Sequence, residues 1–157
     1  MTELDLQKEI KKVLINEVFR DMLIFEGQQM KVFEHDLPLS SDFDDDDETD
    51  LFFPCCIVRA CGGDIKSASE PQLTTVEIIV AVKDKALDMS GHKNLFITIN
   101  RIRDYFLANG GIRGKHRLVY PVKWTINNEN TFPYFVGHLI TVWHTQTQRF
   151  NDIEKYL

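Results

Sequence analysis

The stretch that most limits how this chain can fold is LTTVEIIVAVK, residues 73 to 83. Apolar side chains recur in it at every second position, which is the period of a β-strand. These positions are Val76, Ile78, Val80 and Val82. The other face is mixed, because Glu77 alternates there with Ile79 and Ala81. The pattern predicts a long strand with one buried face and one partly covered face.

Two segments show the helical period instead. Residues 3 to about 25 carry an i, i+4 ridge, and a second amphipathic helix is predicted from about Gly91 to Ala108, ended by Gly110 and Gly111. The ridge consists of Leu6, Ile10, Leu14, Val18 and Met22. Further strands are predicted at about 29–35, 53–61, 117–127 and 132–147. This order predicts an α+β fold, with a mostly antiparallel four- to five-stranded sheet and two helices packed on one face.

The chain reads as a single domain over residues 1–157, interrupted by an acidic loop insertion at about 36–51 and followed by a short tail at 147–157. Within DFDDDDETD, residues 42–50, seven of nine side chains are acidic. Without those seven acids, the 18 basic residues face 17 acidic ones, a net charge of +1 in place of -6. The acidity is therefore local, and the near-neutral remainder argues against a dedicated nucleic-acid binder.

None of the catalytic and metal-binding motifs considered below is complete in this sequence. A calcium loop beginning at Asp42 would place Asp47 where glycine is required and Phe53 where a bidentate glutamate is required. A nuclease triplet beginning at Glu77 lacks its lysine, because Ile78 and Ile79 follow. No nucleophile elbow or phosphate loop is present. No catalytic residue, metal ligand or cofactor is therefore expected.

The remaining reactive side chains favour ordinary structural roles. Cys55, Cys56 and Cys61 lie close together in one apolar stretch without a CxxC pair, which predicts reduced, partly buried thiols. His116, in the basic turn RGKHR, is predicted to lie at the surface. His138 and His144 share one strand face, but six residues separate them by about 20 Å, too far to share a metal ion.

Several segments together resemble a known family. They are PCCIVRACGG, TTVEIIVAVKDKA, SGHKNLFITINRIRDYFL and YPVKWTINNENTFPYFVGHLITVWHT, preceded by the N-terminal amphipathic helix. Over residues 3 to 146 this arrangement resembles the small tail terminator and tail completion (head–tail joining) proteins of long-tailed bacteriophages and prophages. The resemblance implies a non-enzymatic α+β protein that forms a ring, usually a hexamer. Such a ring caps the tail tube, ends its polymerisation and meets the head connector.

The resemblance also implies partners and locations. The expected partners are copies of the chain itself, the tail tube protein and the head completion or connector protein, while DNA passes through the ring without specific binding. The protein is expected in the bacterial cytoplasm during assembly and then in the virion, with no membrane association. Candidate interfaces are the edge strand or bulge at Pro121, the polar loop at 62–72 and the exposed face of the helix at 91–108.

The acidic run is a departure from the family pattern. Its side chains face either the lumen of the ring or a basic neighbour, or they form a solvated loop without a partner. They are Asp42, Asp44, Asp45, Asp46, Asp47, Glu48 and Asp50. Two alternatives stay open: a metal-dependent hydrolase or nuclease that uses Glu77 with part of this run, and a neck or adaptor protein that shares only the fold.

Overall fold

A computed structural model of the chain describes residues 2–24, 28–38, 51–112 and 114–145. The first helix, α1, spans Glu3–Val13 and begins at a capping box. The Thr2 hydroxyl accepts from the Asp5 N–H, and the Asp5 carboxylate accepts from the Thr2 N–H at 2.9 Å. Two N–H groups that the helix leaves unpaired are satisfied in this way.

The predicted helix over 3–25 is too long. After α1 the chain forms a π-helical segment, Leu14–Val18, and leaves the helix at Phe19. A two-stranded sheet follows, in which β1 (Leu23–Ile24) pairs antiparallel with β2 (Gln28–Gln29). Val18, Phe19 and Met22 are nevertheless buried. The i, i+4 spacing therefore predicted the buried positions correctly, but these buried positions continue to Met22, after the helix has ended.

The main sheet has six strands, one more than the upper end of the prediction. They are β3 (Lys31–Glu34), β4 (Cys55–Asp64), β5 (Gln72–Lys83), β6 (Gly111–Ile112), β7 (His116–Ile126) and β8 (Tyr134–Thr145). The second helix, α2, spans Gly91–Asn109 between β5 and β6. The order across the sheet is β3-β4-β5-β8-β7-β6. All neighbouring pairs are antiparallel except β3 and β4, which run parallel.

Both helices pack on one face of this sheet. The core joins α1 and α2 to alternate positions of β4, β5 and β8. Among the fully buried side chains are Leu6, Ile10, Leu95, Ile99, Ile102, Phe106, Val76, Ile78, Val80, Leu139 and Trp143. The fold is therefore α+β with two helices over one sheet face. The opposite face is called the open face below, and it includes Glu77, Ile79, His138 and Ile140.

Strand β4 is longer than predicted. The strand was predicted to end at about residue 61, but it continues through Gly62-Gly63 to Asp64 after a register shift between Ala60 and Gly62. Gly62 has φ of +146°, a backbone conformation that side chains other than glycine rarely adopt. Glycine therefore permits a β-bulge here and does not end the strand.

Candidate functional site

The outer edge formed by β7 is the first candidate surface. On one side β7 pairs with β8 over most of its length. On the other side it pairs only with β6, through His116 and Arg117. No other described strand pairs with β7. The backbone groups on the outer side of residues 119–126 therefore lack a strand partner within the described part of the chain, and they form an exposed sheet edge.

A β-bulge interrupts β7 at Pro121. Val119 lies opposite Val142, and the next paired residue, Lys123, lies opposite Ile140. Three residues of β7 thus face a single residue of β8. Proline has no N–H to donate to a ladder, so its position within this irregularity on an edge strand fits its chemistry. The structure places Pro121 at both a sheet edge and a bulge.

The bulge exposes aromatic side chains along this edge. Tyr120 is 72% exposed and Trp124 is 47% exposed. Tyr120 lies two residues after buried Leu118, and the bulge that follows Val119 leaves it in solvent. The Arg103 guanidinium of α2 lies over the Trp124 ring, 4.7 Å from its centroid. The edge thus carries an aromatic side chain in contact with the neighbouring helix.

The β7 edge is also basic. Lys123 makes no ion pair with an acid in the described residues, and Arg117 contacts the Nε2 atom of His144 at 3.1 Å. Desolvation, and then the charge of Arg117, lower the pKa of His144. Lys115, at the start of this edge, is already paired with Glu9 of α1 at 3.0 Å. Within the described residues, Arg117 and Lys123 form no ion pair with an acidic side chain.

His116 was predicted to lie at the surface, and this prediction is wrong. It is only 5% exposed, and its Nε2 atom is buried without a hydrogen-bond partner in the described part of the chain. Burial lowers the pKa of His116, although Glu9 acts in the opposite direction. His116 lies opposite Ile112 in the β6–β7 pair and shares the core-facing side of β7 with Leu118, and both of these side chains are buried.

The open face contains the most closely spaced titratable groups. His138 Nδ1 and Glu77 Oε1 lie 2.5 Å apart, and the Cys61 thiol donates to Glu77 Oε2 at 3.8 Å. Cys61 is the extra residue of the β4 bulge, which explains why it turns toward Glu77. His144 lies further along this face and contacts Arg117 instead. The two histidines on β8 therefore remain separate.

This cluster does not have the geometry of a nucleophilic site. The thiol contacts the Glu77 carboxylate, which is too weak a base to hold a thiol proton at neutral pH, and no hydrogen bond joins the thiol to the imidazole in the described residues. Desolvation is the main effect that raises the pKa of Cys61, which keeps the thiol protonated near neutral pH. Among the described residues, no group of three or more His, Cys, Asp or Glu is arranged to hold a metal ion. The contacts instead satisfy polar groups on a half-buried surface.

The three thiols divide into two classes. Cys55 and Cys56 are buried, Cys61 is exposed, and all three are free. Burial raises the pKa of Cys55 to about 12 and that of Cys56 well above its ordinary value. The expectation of reduced, partly buried cysteines agrees with this arrangement.

The other predicted surfaces lie apart from the β7 edge. The polar loop at 62–72 is exposed and borders an open groove of about 690 Å³ beside the start of α1, where Gln72 Nε2 donates to Glu3 Oε1 at 2.7 Å. The outer face of α2 exposes Phe96 and Ile97, at 39% and 56%. The acidic run lies outside the described residues. It comprises Asp42, Asp44, Asp45, Asp46, Asp47, Glu48 and Asp50.

Sequence reasoning found the edge but missed most of the side chains that characterise it. Pro121 signalled the irregularity correctly. The roles of Arg103, Lys123 and Trp124 depend on the packing of α2 beside β7, which no local pattern encodes. One signal was nevertheless present: the chain has no acidic residue between Asp104 and Glu129.

Comparison with protein-family models and with curated proteins finds no match to this chain. None of the described helices combines the length and the apolar character needed to cross a membrane.

Proposed function

We propose that this protein is a structural component of a bacteriophage tail. It assembles as a ring, with six copies as the expected number, and caps the tail tube at its head-proximal end. The ring ends tail polymerisation and joins the tail to the head connector. The protein acts in the bacterial cytoplasm during assembly and is then retained in the virion. No catalytic step is part of this role.

The observation that carries the proposal is the exposed edge of β7. Long edge strands invite pairing with another chain, and proteins that remain monomeric usually block them. Here β6 covers only the first two residues of β7, and the aromatic rings of Tyr120 and Trp124 lie beyond that cover. An edge of this kind supports association through β7.

The opposite edge of the sheet supports a ring in particular. That edge is the four-residue strand β3, which differs from β7 in length, direction of pairing and side chains. Contacts between two unlike surfaces are heterologous, and they form closed rings when the rotation between copies closes. This geometry agrees with the family resemblance of residues 3 to 146, and the two together favour a ring over a two-fold dimer.

Native mass spectrometry with electron microscopy of the same samples tests the proposal. Purified protein should form closed rings of about six copies, and the fraction in rings should rise with concentration. Tyr120→Asp should suppress the rings, because it places a charge on the exposed edge. Leu87→Asp provides a matched control, since Leu87 is 89% exposed in the loop after β5 and belongs to neither sheet edge.

The outcomes separate the proposed role from the hydrolase alternative. A protein that stays monomeric at every concentration, both alone and with tail tubes, would overturn the ring. A melting temperature that rises strongly with Mn²⁺ or Ca²⁺ would instead favour a metal site, because a ligand of the native state stabilises it by mass action. For the tail protein we expect no such rise.

A further inference from the structure

His116 is unusual among the polar side chains of this fold. It lies at the start of β7, on the core-facing side, and is 5% exposed. Within the described part of the chain, its Nε2 atom is the one buried side-chain nitrogen or oxygen that has no hydrogen-bond partner. A buried polar atom without a partner is unfavourable, and a proton on the ring would add a buried charge. The site therefore favours the neutral imidazole.

The charged groups around His116 belong to α1, to the turn before β7 and to β8. Desolvation has the largest effect on the pKa of His116 and lowers it, and Lys115 acts in the same direction. Glu9 and Asp5 of α1 and the backbone of His144 favour the charged ring without reversing this result. Both carboxylates are already engaged, Glu9 with Lys115 at 3.0 Å and Asp5 in the capping box. A charged His116 would therefore compete for a carboxylate that another group already uses.

The element that covers His116 is small. β6 has two residues, the fewest of any described strand in the main sheet, and β7 is its only strand partner there. The Leu118 N–H donates to the Gly110 carbonyl oxygen beside it at 2.9 Å. The turn between β6 and β7 is joined to α1 by the ion pair of Lys115 with Glu9, which are 52% and 21% exposed. Ion pairs at the surface contribute little to stability, so β6 can leave β7 while the longer strands stay paired.

We infer that β6 is an acid-sensitive cover of the β7 edge: a proton on His116 favours an open form in which β6 and its turn have left β7 and the imidazole is solvated. Opening breaks the Lys115–Glu9 ion pair and the hydrogen bond of the Leu118 N–H. It also leaves His116 and Arg117 without their partners in β6, so the unpaired edge of β7 becomes longer by two residues. The inference concerns the single chain and does not depend on the proposed ring.

The direction of the pH effect follows from linkage. The solvated imidazole of the open form has its ordinary pKa of 6.5, and burial lowers the pKa of His116 in the closed form. The open form therefore binds the proton more readily, and opening increases as the pH falls below 6.5. A single proton limits the increase to about tenfold between about pH 7.5 and pH 5.5. Glu9 and Asp5 stay ionised in this range, because hydrogen bonds to Lys115 and Thr2 lower their pKa values from 4.5 and 3.8.

Amide hydrogen exchange of the full-length protein, followed residue by residue by NMR, tests this inference. The Leu118 N–H reports opening of β6. The Asn127 N–H, which donates to the Val136 carbonyl oxygen at 3.0 Å just beyond the far end of β7, is the control. Protection factors correct for the intrinsic effect of pH on exchange. From about pH 7.5 to pH 5.5 we expect the factor of Leu118 to fall several-fold, by at most about tenfold, and that of Asn127 to stay constant.

Two variants identify the group that takes up the proton. His116→Gln removes the titrating ring, so the protection factor of Leu118 should no longer depend on pH in this range. His144→Gln is the matched control and should keep the dependence of the wild type. Desolvation lowers the pKa of His144 as well, but its side chain lies on the open face against Arg117. The His116 ring signals of the wild type provide a measurement that needs no variant, and their titration midpoint should lie below 6.5.

The inference is supported if Leu118 alone loses protection in acid and His116→Gln abolishes that loss. It is overturned if the protection of Leu118 does not change, or if Leu118 and Asn127 lose protection equally. It is also overturned if His116→Gln keeps the loss, or if His144→Gln abolishes it. A titration midpoint of His116 above 6.5 would overturn it too, because the closed form would then bind the proton more readily.

Discussion

The buried hydrogen-bond chain around Trp143 gives the most direct test of how the core is held together. The fully buried Trp143 indole donates from Nε1 to the Thr141 hydroxyl at 2.8 Å. That hydroxyl donates in turn to the Val76 carbonyl oxygen of the neighbouring strand, also at 2.8 Å. The indole ring meets Phe106 of α2 edge-on, with centroids 5.2 Å apart. One hydroxyl thus supports the side chain that joins the helix to the sheet.

The perturbation is Thr141→Val, which keeps the side-chain shape and removes both hydrogen bonds. A buried N–H left without a partner costs about 1–3 kcal/mol, and the lost bond to Val76 costs about 1 kcal/mol. The greater apolar character of valine offsets part of this cost. We expect the free energy of unfolding to fall by about 2–3 kcal/mol. In a domain of this size that lowers the melting temperature by about 4–12 °C.

A double-mutant cycle measures the cost of leaving the indole N–H of Trp143 without a hydrogen-bond partner. In Trp143→Phe the indole donor is absent, so adding Thr141→Val no longer leaves a buried N–H group without a partner. The double variant should therefore lose about 1–2 kcal/mol less than the sum of the two single variants. Urea unfolding followed by circular dichroism measures all four proteins. Additive effects, within about 0.5 kcal/mol, would refute the reasoning. Thr125→Val, at an exposed position of β7, is the control and should change stability by less than about 0.5 kcal/mol.

Three further predictions concern the polar groups at the ends of the core and the thiols. Gln7→Ala removes the side-chain acceptor of the Ala60 N–H, 2.9 Å away, and should cost about 1–3 kcal/mol in urea unfolding; an unchanged midpoint would contradict the assignment. Burial lowers the pKa of His116 below its ordinary value of 6.5, so the unfolded chain binds a proton more readily than the folded one. The free energy of unfolding is therefore retained above pH 6.5 and decreases as the pH falls below it. His116→Gln should reduce this decrease, and equal pH dependence in the variant and the wild type would argue against the reasoning. In the native protein iodoacetamide should modify Cys61 before Cys55, whose thiol has a pKa of about 12, and mass spectrometry of peptides would reveal the reverse order.

Much of the local structure was predictable because it follows from side-chain periodicity and a few special residues. The alternation at Val76 to Val82 predicted β5 and its buried face, and the glycines after Asn109 marked the end of α2 correctly. Pro121 indicated an edge or a bulge. These signals are local, since a strand face, a helix stripe and a helix end each depend on neighbours within a few residues.

Other features could not be read from the sequence, because they depend on residues far apart in the chain. The i, i+4 ridge of α1 does not reveal that the helix ends at Val13, since Val18 and Met22 stay buried by tertiary packing. His116 has a polar sequence context, yet pairing with Ile112 places it on the core-facing side of β7, where it is buried. Similarly, Gly62-Gly63 has the sequence of a turn, but pairing with β5 carries the strand through it.

The sequence by itself determined that this chain forms two helices and several strands, which faces of them are apolar, and that seven acidic side chains lie within residues 42–50. Only the tertiary structure decided the order of the strands, the parallel pairing of β3 with β4, and the exposure of β7 as an edge. The physical reason is that periodicity specifies which side chains are buried, whereas the choice of neighbouring strand depends on contacts between distant segments.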